Sequence, residues 1–165
     1  LSLSLTQEFV RPLYHWRTSR PHEYTHSRLN CQHDDNALFE NGPAHGAPPQ
    51  NVRLGDGDYL LDHLGGGFDL LYFTQAAALP ASLQSVLTNV RAKGVRIRVT
   101  AVGAGHTVAG CDQTLPDTAG DLRQRYGMTA EGAAYLLRPD QHICARWLSL
   151  EAPALQAALA NALPQ

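Results

Sequence analysis

The chain has one lysine, Lys93, one methionine, Met128, and only three cysteines. Its other basic residues are arginines, and they form no stripe: Lys and Arg total 13 against 15 Asp and Glu, for a net charge of −2. A surface that draws a phosphate backbone needs concentrated positive charge, so nucleic acid is not the expected partner. No apolar run approaches the roughly 20 residues needed to span a bilayer. The opening Leu1-Ser2-Leu3-Ser4-Leu5 lacks the basic and apolar regions of a secretory signal. It also lacks an initiator Met, so the chain is expected to begin inside a longer protein. Cys31, Cys111 and Cys144 are far apart and form no C-x-x-C pair. That pattern suits reduced, mostly buried thiols in a cytoplasmic protein rather than a disulfide framework.

At 165 residues the chain is one domain, or one domain with an appendage, long enough to bury a core without staples. Residues 1–29 form a peculiar arm. Phe9, Val10, Leu13, Tyr14 and Trp16 stand among Arg11, Arg17, Arg20 and Arg28 with neither helical nor strand period, and Pro12 and Pro21 interrupt them. Such a stretch is expected to pack on something else, a neighbouring chain first of all. Residues 30–50 read as a linker, with Asn41-Gly42-Pro43 and Gly46-Ala47-Pro48-Pro49 as its punctuation.

Residues 51–165 have regular periodicity. Leu60, Leu61 and Leu64 suit a short helix stopped by Gly65-Gly66-Gly67, and Phe68 to Phe73 reads as a strand buried on both faces. Pro80 sits at the start of a helix whose stripe is Leu83, Val86, Leu87 and Val90, ended by Gly94. Val95 to Val99 alternates at strand period. Strand, helix and strand make a βαβ unit with parallel strands and a right-handed crossover. Ala101 to Pro116 reads as loop. Asp117 or Thr118 is positioned to cap a short helix through Leu122 and Tyr126 to Gly127. Ala133 to Leu137 and His142 to Trp147 flank Arg138-Pro139-Asp140-Gln141, an antiparallel hairpin with a type I turn. A last helix starts near Pro153 with Leu155, Leu159 and Leu163 on one side. This order predicts an α/β fold, a thioredoxin-like mixed sheet flanked by helices, with Leu71, Phe73, Leu87, Ile97, Val99 and Leu136 in the core.

Candidate chemistry is sparse. The Gly65-Gly66-Gly67 run leads into a strand, and no Lys follows it, so it is neither a dinucleotide fingerprint nor a P-loop. Gly55-Asp56-Gly57-Asp58 lacks the Glu of a calcium loop, since the twelfth position from Asp56 is Gly67. His22, His26 and His33 with Cys31, Asp34 and Asp35 hold ligand types for a metal, without paired cysteines at short spacing. Cys144, with His142 and Arg146 two positions either side, could meet them on one strand face as a nucleophile would, but a hairpin strand with one half-buried face is the preferred reading. A redox role of thioredoxin type needs a thiol after the first core strand, where Thr74 to Pro80 carries none.

Four segments in order carry a resemblance. Tyr135-Leu136-Leu137-Arg138-Pro139-Asp140-Gln141-His142-Ile143-Cys144-Ala145-Arg146-Trp147 closely resembles the closing "YLLRPDxHxAxRW" hairpin of flavin-dependent aromatic hydroxylases, the single-component phenol, 3-hydroxyphenylpropionate and polyketide hydroxylases. Leu60 to Leu71 is similar to their "LLDLLGxGFTLL" segment, and Gly42 to Val52 to their "GxRAPxxxL" linker. Tyr24 to Leu29 resembles the "YxxSPL" that closes their flavin and substrate domain, with Arg28 where Pro is usual. The resemblance implies that residues 1–29 are the tail of a missing FAD and substrate domain. It implies that residues 51–165 form the C-terminal domain, which helps organise the subunit or a homodimer. The parent would be an oxidoreductase using FAD with NADPH or NADH, in which a flavin hydroperoxide hydroxylates a phenolic ring. The implied partners are the missing domain and a second copy. No catalytic, cofactor-binding or metal-ligating residue is assigned within the chain, and the fragment by itself is expected to be inactive. The alternative is a stand-alone thioredoxin-like interaction or redox module.

Overall fold

The computed structural model describes residues 42–44, 46–49, 51–55, 57–117, 120–127 and 131–160. The arm over residues 1–29, with the His22, His26, Cys31, His33 cluster, lies outside them, as does Leu163. Strands β1 (Arg53–Gly55) and β2 (Asp58–Tyr59) form a small antiparallel ribbon leading into a 3-10 turn, Leu60–His63. The main sheet has five strands: β3 (Phe68–Phe73), β4 (Ile97–Val102), β5 (Gln113–Leu115), β6 (Ala133–Leu137) and β7 (Ile143–Trp147). Their spatial order is β5-β4-β3-β6-β7. β3, β4 and β5 are parallel, with Phe68 opposite Ile97, while β6 runs antiparallel to β3 and β7 antiparallel to β6. Helices α1 (Ala81–Ala92), α2 (Asp121–Tyr126) and α3 (Ala152–Ala160) flank this mixed sheet.

All six residues of β3 are buried, as a central strand covered on both faces requires. One face carries Leu70 and Tyr72 against Leu83, Val86, Leu87 and Val90 of α1 and Leu155 and Leu159 of α3. The other carries Leu71 and Phe73 with Tyr135 of β6, Leu122 and Tyr126 of α2, and Leu60 of the 3-10 turn. The six core residues expected from the pattern are buried, Ile97 the most exposed of them at 7%.

Boundaries moved in the first half of the sheet. The strand read over Val95 to Val99 begins at Ile97, because Val95 belongs to the end of α1. Gly94, at φ +95°, donates to the Arg91 carbonyl, and Val95 donates to the Val90 carbonyl, the paired bonds of a Schellman cap. Val90 and Val95 share one apolar cluster, the contact that accompanies such a cap. The second change falls within the stretch read as loop from Ala101: β4 runs on to Val102, and Gln113–Leu115 adds an edge strand. Three residues with two polar side chains offer no period to detect; the neighbouring β4 makes them a strand. Gly120, not Asp117, holds the N-cap position of α2, and Thr118 lies outside the described residues; Asp117 serves the helix start from three residues before the cap, its carboxylate accepting from the amides of Leu122 at 2.9 Å and Arg123 at 3.0 Å. The β6–β7 turn is a β-turn over Arg138–Gln141 followed by Gln141 at φ 65°, closed by the Arg138 amide on the His142 carbonyl.

Candidate functional site

β3 ends in a polar clamp at the start of Thr74 to Pro80, the stretch that carries no cysteine. Thr74 is fully buried; its amide donates to the Val102 carbonyl at 3.0 Å. Its hydroxyl donates to the Glu131 carboxylate, which also accepts from the Gln75 amide at 2.9 Å. The same hydroxyl accepts from the Ala76 amide, and His106 Nε2 lies 3.3 Å from the Gln75 carbonyl. Ala77 to Leu79 is held through the Ala109 amide and carbonyl. The segment is thus pinned backbone, with Thr74 and Leu79 buried and Gln75 to Ala78 exposed between them.

The two described cysteines are Cys111 and Cys144. Cys111 is half-buried; burial first, then the Asp112 carboxylate, pushes its thiol up to about 11. A thiol in that state is protonated at neutral pH and a poor nucleophile. Cys144 is buried in the cluster with Ala145 and Trp147. The His142, Cys144, Arg146 alignment expected from strand alternation is not formed. β7 starts only at Ile143, and the β6–β7 register shifts between Leu136 and Leu137, across from Cys144. Arg146 instead donates to the Tyr135 hydroxyl at 3.4 Å, on the α2 side of the sheet. The missed signal is the bulge, which alternation counted from sequence cannot register.

The hairpin tip holds a second network. Arg138 is fully buried and forks onto Asp140, with both N–O distances 3.2 Å. The His142 amide donates to the Asp140 carboxylate at 3.1 Å, and the His142 ring lies 3.4 Å from it. Burial works to raise the Asp140 carboxyl, but the His142 hydrogen bond and the Arg138 charge outweigh it and hold it below its ordinary value. Part of the linker lies along this hairpin: the Gly46 amide donates to the Ile143 carbonyl and the Ile143 amide to the Ala47 carbonyl, both at 2.9 Å. At Gly42 a Cβ would fall 2.3 Å from the Tyr135 hydroxyl, so only glycine fits there. Through Tyr135 and Ile143 the hairpin thus forms a folded corner against residues 42–47.

A third cluster sits at the N-terminal end of β3. Asp69 is buried and accepts from the Gly65 amide at 2.8 Å and from Arg98 at 3.4 Å. Burial raises its carboxyl above the ordinary value despite those partners. Among the described residues, no group of three or more His, Cys, Asp or Glu is arranged to hold a metal ion. No described helix is long and apolar enough to cross a membrane.

No family model matches the chain, and none of the curated proteins does. Solved structures do. Aklavinone-11 hydroxylase, in a ternary complex with FAD and aklavinone, matches 84% of this chain at 26% identity and a TM-score of 0.58. The flavin-dependent monooxygenase PieE, in complex with FAD and substrate, matches 74% at 24% identity and a TM-score of 0.56. The rebeccamycin biosynthetic enzyme RebC, with reduced flavin, matches 96% at 17% identity and a TM-score of 0.54. This chain spans only 26%, 20% and 27% of those chains respectively.

Proposed function

We propose that this chain is the C-terminal, thioredoxin-like domain of an FAD-dependent aromatic hydroxylase, and that it organises the subunit or pairs it with a second copy. The observation that carries the reading is the coincidence of the Tyr135-to-Trp147 signature with a fold matching aklavinone-11 hydroxylase over most of the chain. The hairpin built by that signature binds the linker, which leads back toward the domain expected upstream.

The described residues do not fit a flavin. A dinucleotide pyrophosphate rests on a helix N-terminus behind a glycine-rich turn. Here the glycines lead into β3, and the segment before α1, Thr74 to Pro80, contains none. Flavin and NAD(P)H chemistry therefore belongs to residues upstream in this reading, and the domain contributes architecture. A redox role has no support from the described thiols.

The test is to extend the reading frame upstream and purify the longer product beside the present chain. A yellow longer product that oxidises NADH or NADPH when given a phenolic substrate supports the reading. An upstream frame without a flavin fingerprint overturns it. Light scattering on both products reports whether a second copy is bound.

A further inference from the structure

The glycine run excluded as a phosphate cradle for want of a following cation has cations beside it in the fold. Parallel pairing of β3 with β4 sets Phe68 opposite Ile97, which places Arg96 and Arg98 alongside Gly65, Gly66 and Gly67. The two segments touch through backbone: the Phe68 amide donates to the Arg96 carbonyl at 2.8 Å, and a Cβ on Gly67 would lie 2.6 Å from that oxygen. Between them, with Arg91 from the end of α1, is an open cleft of about 380 Å³.

The three arginines are not equally committed. Arg91 donates to the Ile97 carbonyl and to Asp112, and Arg98 to Asp69 and the Gly65 carbonyl. Arg96 is exposed, and among the described residues its guanidinium has no hydrogen-bond or ion-pair partner. The amides of Gly66 and Gly67 likewise have none among the described residues, whereas the Gly65 amide is taken by Asp69. A Cβ at Gly66 would meet nothing within 4 Å, so packing does not fill the space there. Three guanidinium groups against the two carboxylates, Asp69 and Asp112, leave the cleft lining with a positive excess, beside backbone amides that no described group uses.

We propose that this cleft binds a small tetrahedral oxyanion, phosphate free or as a phosphomonoester, held by Arg96 with the Gly66 and Gly67 amides. Guanidinium forks and exposed backbone amides are the donors that suit phosphate oxygens. The site is separate from the flavin reading and stands whether or not that reading holds.

The experiment is an amide NMR titration of the full chain with inorganic phosphate, glycerol phosphate and acetate at matched ionic strength, against chloride. Saturable shifts at Gly66, Gly67 and Phe68 with either phosphate are expected. Arg96→Ala should weaken binding by roughly fivefold or more while the rest of the amide spectrum stays in place, and Arg96→Lys should recover part of the loss. Binding of inorganic phosphate alone marks the free anion as the ligand, and binding of both extends it to phosphomonoesters. Shifts scattered over the remaining arginines, affinity unchanged in Arg96→Ala, or acetate binding as tightly as phosphate would each overturn the proposal.

Discussion

At the C-terminal end of β3, Glu131 reaches across from the loop before β6 and closes on Thr74 and Gln75, while at the N-terminal end Asp69 engages only part of an arginine-rich rim. At the first end the donors are satisfied internally. The second end is the one that keeps cationic side chains and backbone amides in reserve. The two ends of one strand therefore differ in the state of their polar groups, spent at one and partly unspent at the other.

The largest expected effect removes what both ends share. Leu71 is fully buried midway along β3, and Leu71→Ala should cost about 2–5 kcal/mol in urea unfolding. A cost under about half a kilocalorie would mean that the strand is not central to the core. Breaking the C-terminal clamp alone is milder. Glu131 is exposed, so Glu131→Ala should cost about 0.5–1.5 kcal/mol, with faster hydrogen exchange confined to the Gln75 and Ala76 amides. Exchange that rises equally at Gly66 and Phe68 would show that the two ends are not independent.

The pH dependence of stability should separate two carboxylates. The folded-state value of Asp140 is depressed, so its contribution is present above the ordinary value of 3.8 and is lost as pH falls through the folded value. That of Asp69 is raised, so its contribution is full below 3.8 and is lost as pH rises through the folded value. Urea midpoints across the acid range should show Asp140→Asn flattening the acid limb and Asp69→Asn flattening the opposite slope. Identical profiles for the two variants would contradict these assignments. The smallest effect is kinetic: iodoacetamide should modify Cys111 with a pH midpoint near its value of about 11, and a midpoint at the ordinary thiol value would show a site less buried than the fold has it.

Much of this was readable from residue order. The buried run of β3, the 3.6-residue stripe of α1 and the turn-forming Pro139 and Asp140 are local patterns, and local patterns survive folding when the core agrees with them. The hairpin signature was legible as well, because contiguous residues make both the turn and the salt bridge at its tip. Non-local geometry was not legible. Val95 was drawn into a helix cap, Gln113 to Leu115 became a strand only by lying beside β4, and the bulge at Cys144 undid the alternation that aligned it with Arg146.

The sequence by itself determined the class of fold, the core and the absence of a thiol between Thr74 and Pro80, since each rests on composition and short-range period. Only the tertiary structure decided which charges meet. Asp69 and Arg98 are 29 positions apart and become partners through strand register. By that same register the glycine run, which has no cation directly after it in the chain, gains Arg96 at its side. Parallel pairing joins residues across a helix-long detour, and no pattern within either segment encodes which side chains the register will bring together.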